Sequence, residues 1–254
     1  MRRVRDWAPA VALLAIAVAG WELAAQAGWV EDYLLPAPSE VARALVEDRA
    51  LLLDDAWVTG QEVLLGFALA LVAGVTIAVA LHLSSLARRA VYPLVVASQA
   101  VPVIVIAPIL VIWFGFGMTP KLIVVALICF FPITVNTLDG LRAVEPAHVK
   151  MMRTLGAGRW AMLRRLELPA ALPYLFSGAK VAVAVAVIGA VFGELVGSDA
   201  GLGHVIQVGM AQLLTARVFA AVLLLSAMAI ALFGLVSLAE RRAVPWARRR
   251  EAAT

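Results

Sequence analysis

The sequence is short of the residues that give a soluble chain its outer surface. Only 15% of its 254 residues are charged, against 63% hydrophobic, and the mean hydropathy is +0.96. A water-soluble domain must cover its exterior with polar groups, whereas lipid asks for no such cover. The one cysteine, Cys129, excludes an intrachain disulfide and any multi-cysteine metal site. Three histidines, His82, His148 and His204, lie far apart, and no nucleophile–base or metal-ligand constellation is present. The phosphate-binding pattern G-x-x-x-x-G-K-[ST] is missing as well, so the chain is not expected to hydrolyse ATP. Its net charge of +4 comes from short basic clusters between apolar runs. Without a basic stripe and interleaved aromatics, nucleic acid is not an expected partner.

What the sequence has instead is long apolar runs. A helix needs roughly 20 mostly apolar residues to cross the bilayer core. Six stretches qualify: Ala8 to Ala27, Val63 to Leu83, Leu94 to Phe116, Leu122 to Leu138, Leu172 to Val196, and Val218 to Leu238. The expected fold is an all-α membrane protein with about six transmembrane helices. It forms one domain over 1–254, with core spans at 63–238. Alternating Ala and Val from Val181 to Val187 imitate a strand, but the polar alternate positions are missing and the run is too long. Backbone in lipid must satisfy itself internally, which also favours a helix.

The loops set the orientation. With a cytoplasmic N-terminus, 16 of the 21 basic residues fall on the cytoplasmic side. They are Arg2, Arg3, Arg5, Arg88, Arg89, Arg142, Lys150, Arg153, Arg159, Arg164, Arg165, Arg241, Arg242, Arg248, Arg249 and Arg250. Only Arg43, Arg49, Lys121 and Arg217 would face out, so both termini are expected in the cytoplasm. The first stretch also resembles a signal peptide, ending in the A-x-A triplet Ala25–Gln26–Ala27. Its apolar run continues through Trp21 and exceeds a usual h-region, so an uncut anchor is expected. The outer segment Gly28 to Gly60 carries seven acids, among them Glu31, Asp32, Asp54 and Asp55, against two arginines. Within it, Pro36, Pro38 and Ser39 predict a turn and a short interfacial helix capped by Ser39. A plain solvated connector is the alternative.

Several residues inside the spans point to packing or passage. Gly66, Ala70, Gly74 and Ala78 form one four-residue ladder, and Gly189, Gly193 and Gly197 another. Such ladders serve helix contacts within or between subunits, or reflect ordinary small-residue enrichment. Pro93, Pro102, Pro108 and Pro132 interrupt the third and fourth stretches. Kinked helices often line transport paths, though kinks serve packing equally. Polar residues at membrane depth are costly. Lys180 is expected to snorkel to the cytoplasmic surface, and Glu22 and His82 to sit at interfaces. Glu194 faces either a water-filled vestibule or the outer interface. Gln99 and Asn136 are the central candidates for the translocation path.

The loop 139–171 is the longest basic one. Gly156 and Gly158 bracket a turn; Leu163 and Leu166 share one face of a short helix bearing Arg159, Arg164 and Arg165; Pro169 and Pro173 then stop it and open the next span. An amphipathic helix of this kind rests on anionic headgroups or presses on a cytoplasmic protein, and physics alone does not choose. The segment resembles the permease signature of bacterial ABC importers: E-A-A, three residues, Gly, nine residues, I-x-L-P. Gly156 is followed by nine residues and then by Leu166, Glu167, Leu168 and Pro169, while Lys150, Met151 and Met152 replace the E-A-A positions.

The stretches S-Q-A-V-P at Ser98, W-F-G-F-G at Trp113, F-F-P-I-T-V-N-T at Phe130 and G-S-D-A-G-L-G at Gly197 resemble the nitrate, sulfonate and taurine branch. A-L-P-Y-L-F-S-G-A-K and F-G-E-L-V-G are most similar to permeases for the hydroxymethylpyrimidine precursor of thiamine. The resemblance implies a type I importer permease fold (MetI-like) in the bacterial inner membrane. It also implies a coupling helix at Gly156, Ala157, Gly158, Arg159, Trp160, Leu163, Leu166, Leu168 and Pro169 that docks on a cytoplasmic ATPase. The implied partners are an ATPase dimer that holds ATP and Mg, a second copy of this chain, an extracytoplasmic substrate-binding protein and membrane lipid. No cofactor is expected on this chain. The rival class is an ion-coupled secondary transporter, which would want central acidic residues.

Overall fold

The computed structural model describes residues 2–28, 31 and 33–246. Asp32 and Arg248, Arg249 and Arg250 lie outside them, as do the side chains of Arg2, Arg3 and Arg5. Among the described residues all regular structure is helical. In chain order the helices are α1 (Arg2–Gln26), α2 (Pro38–Glu47), α3 (Arg49–Leu83), α4 (Ser85–Ala97), α5 (Val103–Phe114), α6 (Met118–Arg142), α7 (Pro146–Thr154), α8 (Arg159–Met162), α9 (Leu168–Leu195), α10 (Leu202–Ala211) and α11 (Thr215–Ala243). The continuous helices through α3, α6, α8–α9 and α11 are long and apolar enough to cross a membrane. The bent pair α4–α5 is a fifth candidate. α1 supplies a shorter apolar stretch, Val11–Gln26, so the expectation of about six spans fits approximately.

The chain divides into two compact units, Met1–Val58 with Ala200–Ser226, and Thr59–Asp199 with Ala227–Thr254. In the first, polar side chains tie the short segments down. The N-cap of α2 is Ala37, whose N–H donates to the Glu40 carboxylate at 3.1 Å. Ser39 is therefore not the cap that the sequence predicts. Pro38 already starts the helix, which is the position proline favours, and leaves Ser39 one residue inside. Its hydroxyl donates to Glu22 at 2.7 Å instead. Arg217 forks onto both Asp48 oxygens at 2.7 and 2.8 Å. Asp55 accepts the Gly201 N–H at the start of α10, and the Trp21 and Phe219 rings stand 5.9 Å apart.

The second unit is built on close helix contact. α6 and α9 form its most extensive pair, and glycines are the reason. A Cβ at Gly178 would stand 2.5 Å from the Pro132 carbonyl oxygen, and one at Gly140 2.7 Å from the Tyr174 Cβ. Gly66 and Gly74 of α3 and Gly189 and Gly193 of α9 also face α6: their Cβ atoms would meet Val125, Ile133, Ile128 and Lys121 at 2.6 to 3.2 Å. Lipid offers no hydrophobic drive between helices, so backbone approach of this kind carries the packing.

The third apolar stretch is broken at proline, as its sequence predicts: α4 and α5 meet at 101° across a 3₁₀ turn at Ser98–Ala100. Pro102 lacks the N–H that would continue α4 and pushes Val101 to extended geometry, φ −86° and ψ 119°. Conversely, Pro169 does not stop the amphipathic helix. A π turn over Leu163–Glu167 carries it directly into α9, with the Leu168 N–H bonded to the Leu163 carbonyl. Pro169 follows in the first turn of α9. Lys180 Nζ donates to Glu240 Oε2 at 2.9 Å, in the last turn of α11.

Candidate functional site

The basic loop is held by a specific cap. α7 ends at Thr154 with Leu155 as its C-cap, and Gly156 follows at φ +77°. The Gly156 N–H bonds to the Arg153 carbonyl at 2.9 Å and the Ala157 N–H to Met152 at 3.0 Å. Those two bonds define a Schellman motif, which wants glycine at its left-handed position. No atom lies within 4 Å of a Cβ built on Gly156, so the requirement is conformational and not steric. Gly158, at φ −70°, is the N-cap of α8 and makes no such demand.

The helix that follows has two faces. Met162 and Leu163 are buried, Leu163 against Leu141 and Ala171 with Val79 and Leu168 alongside. Leu166 is half-buried and does not share that seat with Leu163. In a turn closed by i→i+5 bonds, a spacing of three falls short of a full turn. Trp160 and Leu155 stand 66% and 75% exposed, beside exposed Arg164 and Arg165. On the inner side His82 Nε2 donates to Glu167 Oε2 at 2.9 Å. Arg159 Nη2 donates to the His82 carbonyl at 3.2 Å, with Nη1 3.7 Å from Glu167 Oε1. His82 is thus bonded inside the protein.

A second feature is a cavity of about 330 Å³ at the α4–α5 break, lined by Ser98, Gln99, Val101, Val103, Ile106, Leu127, Ile128, Val185, Ile188 and Phe192. None of these carries a charge. Gln99 is the one translocation-path candidate found here. Asn136 uses its amide on the Pro132 carbonyl at 2.8 Å, beside Gly178. Glu194 is fully buried and accepts from Thr59 Oγ1 at 2.6 Å, at neither a vestibule wall nor an interface.

Sequence reasoning missed the group to which Glu194 belongs. Thr59, Glu62, Lys121, Glu194 and Ser198 are all buried. Lys121 Nζ donates to Glu62 Oε1 at 2.6 Å and also to Ser198 Oγ. The sequence places Lys121 in an outer loop and both acids at span ends. A signal was available: by alternation of the spans, the starts of α3 and α6 and the end of α9 lie on the same side of the membrane.

Residues 69–245 match the family of binding-protein-dependent transport system inner membrane components, and the chain belongs to that family. It is 36% identical over 230 residues to the formylaminopyrimidine transport permease protein of Halalkalibacterium halodurans, covering 90% of this chain and 92% of that one. It is 28% identical to the taurine transport system permease protein of Escherichia coli, over 93% and 88% of the two chains. Among solved structures, an inward-facing MetNI methionine ABC transporter shares the fold at a TM-score of 0.66 with 21% identity, covering 78% of this chain and 97% of that one. The protein is therefore an ABC importer permease, a multi-pass inner-membrane transport component that works with an ATPase and a substrate-binding protein.

One prediction arises at the cap. A β-branched residue at positive φ is strained by about 1–2 kcal/mol, so Gly156→Val should open the turn after α7. Because the position is open, the bundle should stay folded. The expected result is a monodisperse permease that no longer co-purifies with its ATPase. Undiminished co-purification would show that the turn is not the docking element.

Proposed function

We propose that this chain forms the translocation path of an importer for a neutral, planar thiamine-precursor pyrimidine of the formylaminopyrimidine kind. The observation that carries this reading is the uncharged cavity at the α4–α5 break. Gln99 lies exposed there. A primary amide offers a donor beside an acceptor, the pattern that pairs with the amino group and adjacent ring nitrogen of an aminopyrimidine edge, as Gln and Asn pair with adenine. Phe192 and Ile188 supply apolar walls for the ring. A sulfonate would have to leave water with no cation among the described lining residues, at a cost of several kcal/mol. The similarity to the Halalkalibacterium permease supports the same substrate class.

In this reading residues 1–254 act as one permease domain, with core spans at 63–238 and both termini in the cytoplasm. The loop 139–171 is the coupling loop, contacting the ATPase through Gly156–Trp160 and anchoring through Leu163, Leu166, Leu168 and Pro169. Two copies in lipid carry an ATPase dimer, which holds the ATP and Mg, and this chain binds no cofactor. Gln99 belongs to the path, while Asn136 and Glu194 serve packing.

The test is uptake in proteoliposomes with the cognate ATPase and binding protein. Radiolabelled formylaminopyrimidine should accumulate and taurine should not. A bidentate amide contact is worth about 1–3 kcal/mol, or about five- to a hundredfold, so Gln99→Leu should lower pyrimidine uptake by about fivefold or more with assembly unchanged. Taurine uptake without pyrimidine uptake would place the protein in the sulfonate branch instead.

A further inference from the structure

We infer that Glu167 is a positioning residue that locks the ATPase-facing helix to the cytoplasmic end of α3, so that motion of the coupling loop moves two spans together. The inference rests on the coupling role proposed above for this loop and adds a transmission element to it. Along the chain, the loop begins at the end of α6, and α8 itself runs on only into α9, through the π turn. A π turn is a local widening of the helix and a recurrent functional feature; unbraced, it is where α8 could swing while α9 stays put.

The bracing is side-chain work. Glu167, the last residue of the π turn, is 4% exposed and presents one oxygen to His82 and the other toward Arg159. His82 stands in the last turn of α3, and Arg159 is the first residue of α8. Arg159 also donates to the His82 main-chain carbonyl, one of the carbonyls a helix leaves without an internal partner at its end. The start of α8, the end of the π turn and the end of α3 thus meet at one carboxylate. Beneath it, Leu163 and Val79 belong to one apolar cluster, which gives contact but no directional hold. A charge-assisted network fixes distance and angle where apolar packing allows sliding.

The test uses the full complex with its ATPase in nanodiscs and needs no substrate. Spin labels at Thr76→Cys on α3 and Arg164→Cys in the π turn occupy exposed positions, and Cys129 is buried. With native Glu167, trapping with Mg-ATP and vanadate should leave the interlabel distance unchanged, because both labels ride on one body. In Glu167→Gln and in His82→Gln the distance should shift on trapping by an ångström or more, and His82→Lys should restore the locked behaviour. A shift in the native background, or none in either variant, overturns the inference. Thermal unfolding of the permease alone gives an independent check. Losses in Tm from His82→Gln and Glu167→Gln should be non-additive, and strict additivity also counts against the lock. Failure of the native chain to bind any ATPase would instead refute the coupling role, leaving the Tm cycle to judge the contact.

Discussion

Lys121→Met should destabilise the permease by about 3–5 kcal/mol, the usual result of removing one partner from a buried ion pair. Lys121 is 7% exposed and Glu62 is fully buried, joined at 2.6 Å. Methionine matches the length of the side chain but leaves the Glu62 carboxylate at membrane depth with no cation. Adding Glu62→Gln to Lys121→Met should recover a large part of the loss, because an amide does not need a counter-charge. Thermal unfolding in detergent reads both effects. A Lys121→Met protein that unfolds at the native temperature would mean that the pair is not buried as described. Lys121 and Glu194 both meet Ser or Thr hydroxyls, and α3, α6 and α9 each contribute to the group. The charge therefore acts as a fastening between three spans rather than as a stop on an ion path. This is also why buried acids here do not argue for an ion-coupled carrier.

The second large effect is expected at Gly178. A Cβ there would be 2.5 Å from the Pro132 oxygen and 2.9 Å from the Asn136 Cβ. The first of these is backbone and cannot rotate away, so Gly178→Val must push α9 off α6. Overpacking costs about 1–3 kcal/mol and occasionally more, and this is the principal contact of the unit. Gly234→Ala in α11 is the matched control, with nothing within 4 Å of its Cβ. Replacing a mid-helix glycine by alanine should stabilise by up to about 1 kcal/mol. The two variants should move Tm in opposite directions. Equal small shifts would show that the α6–α9 approach is looser than the structure has it.

Much of the architecture can be read from the residues. Apolar runs of span length give the helices, because a buried backbone in lipid has few alternatives to helix. The cap at Gly156 is legible in the same way, since a glycine between two helical stretches is the ordinary residue for a left-handed turn. Proline is less readable. Pro102 breaks its span and Pro169 does not, although each stands in an apolar helical run. What separates them is the backbone around them: an extended Val101 before one, a π turn before the other. Hydropathy does not encode that difference.

The sequence by itself determined that this protein is a helical membrane permease. Span length, small-residue ladders and the spacing of the signature are local along the chain and survive in one dimension. Only the tertiary structure decided which polar groups meet. Thr59 finds Glu194 across 135 positions, His82 finds Glu167 across 85, and Lys121 finds Glu62 across 59. Such pairs depend on the rotation and depth of each helix, which are set by how closely glycines let neighbouring backbones approach. Those are properties of packed pairs of helices, and no single helix carries them in its own sequence.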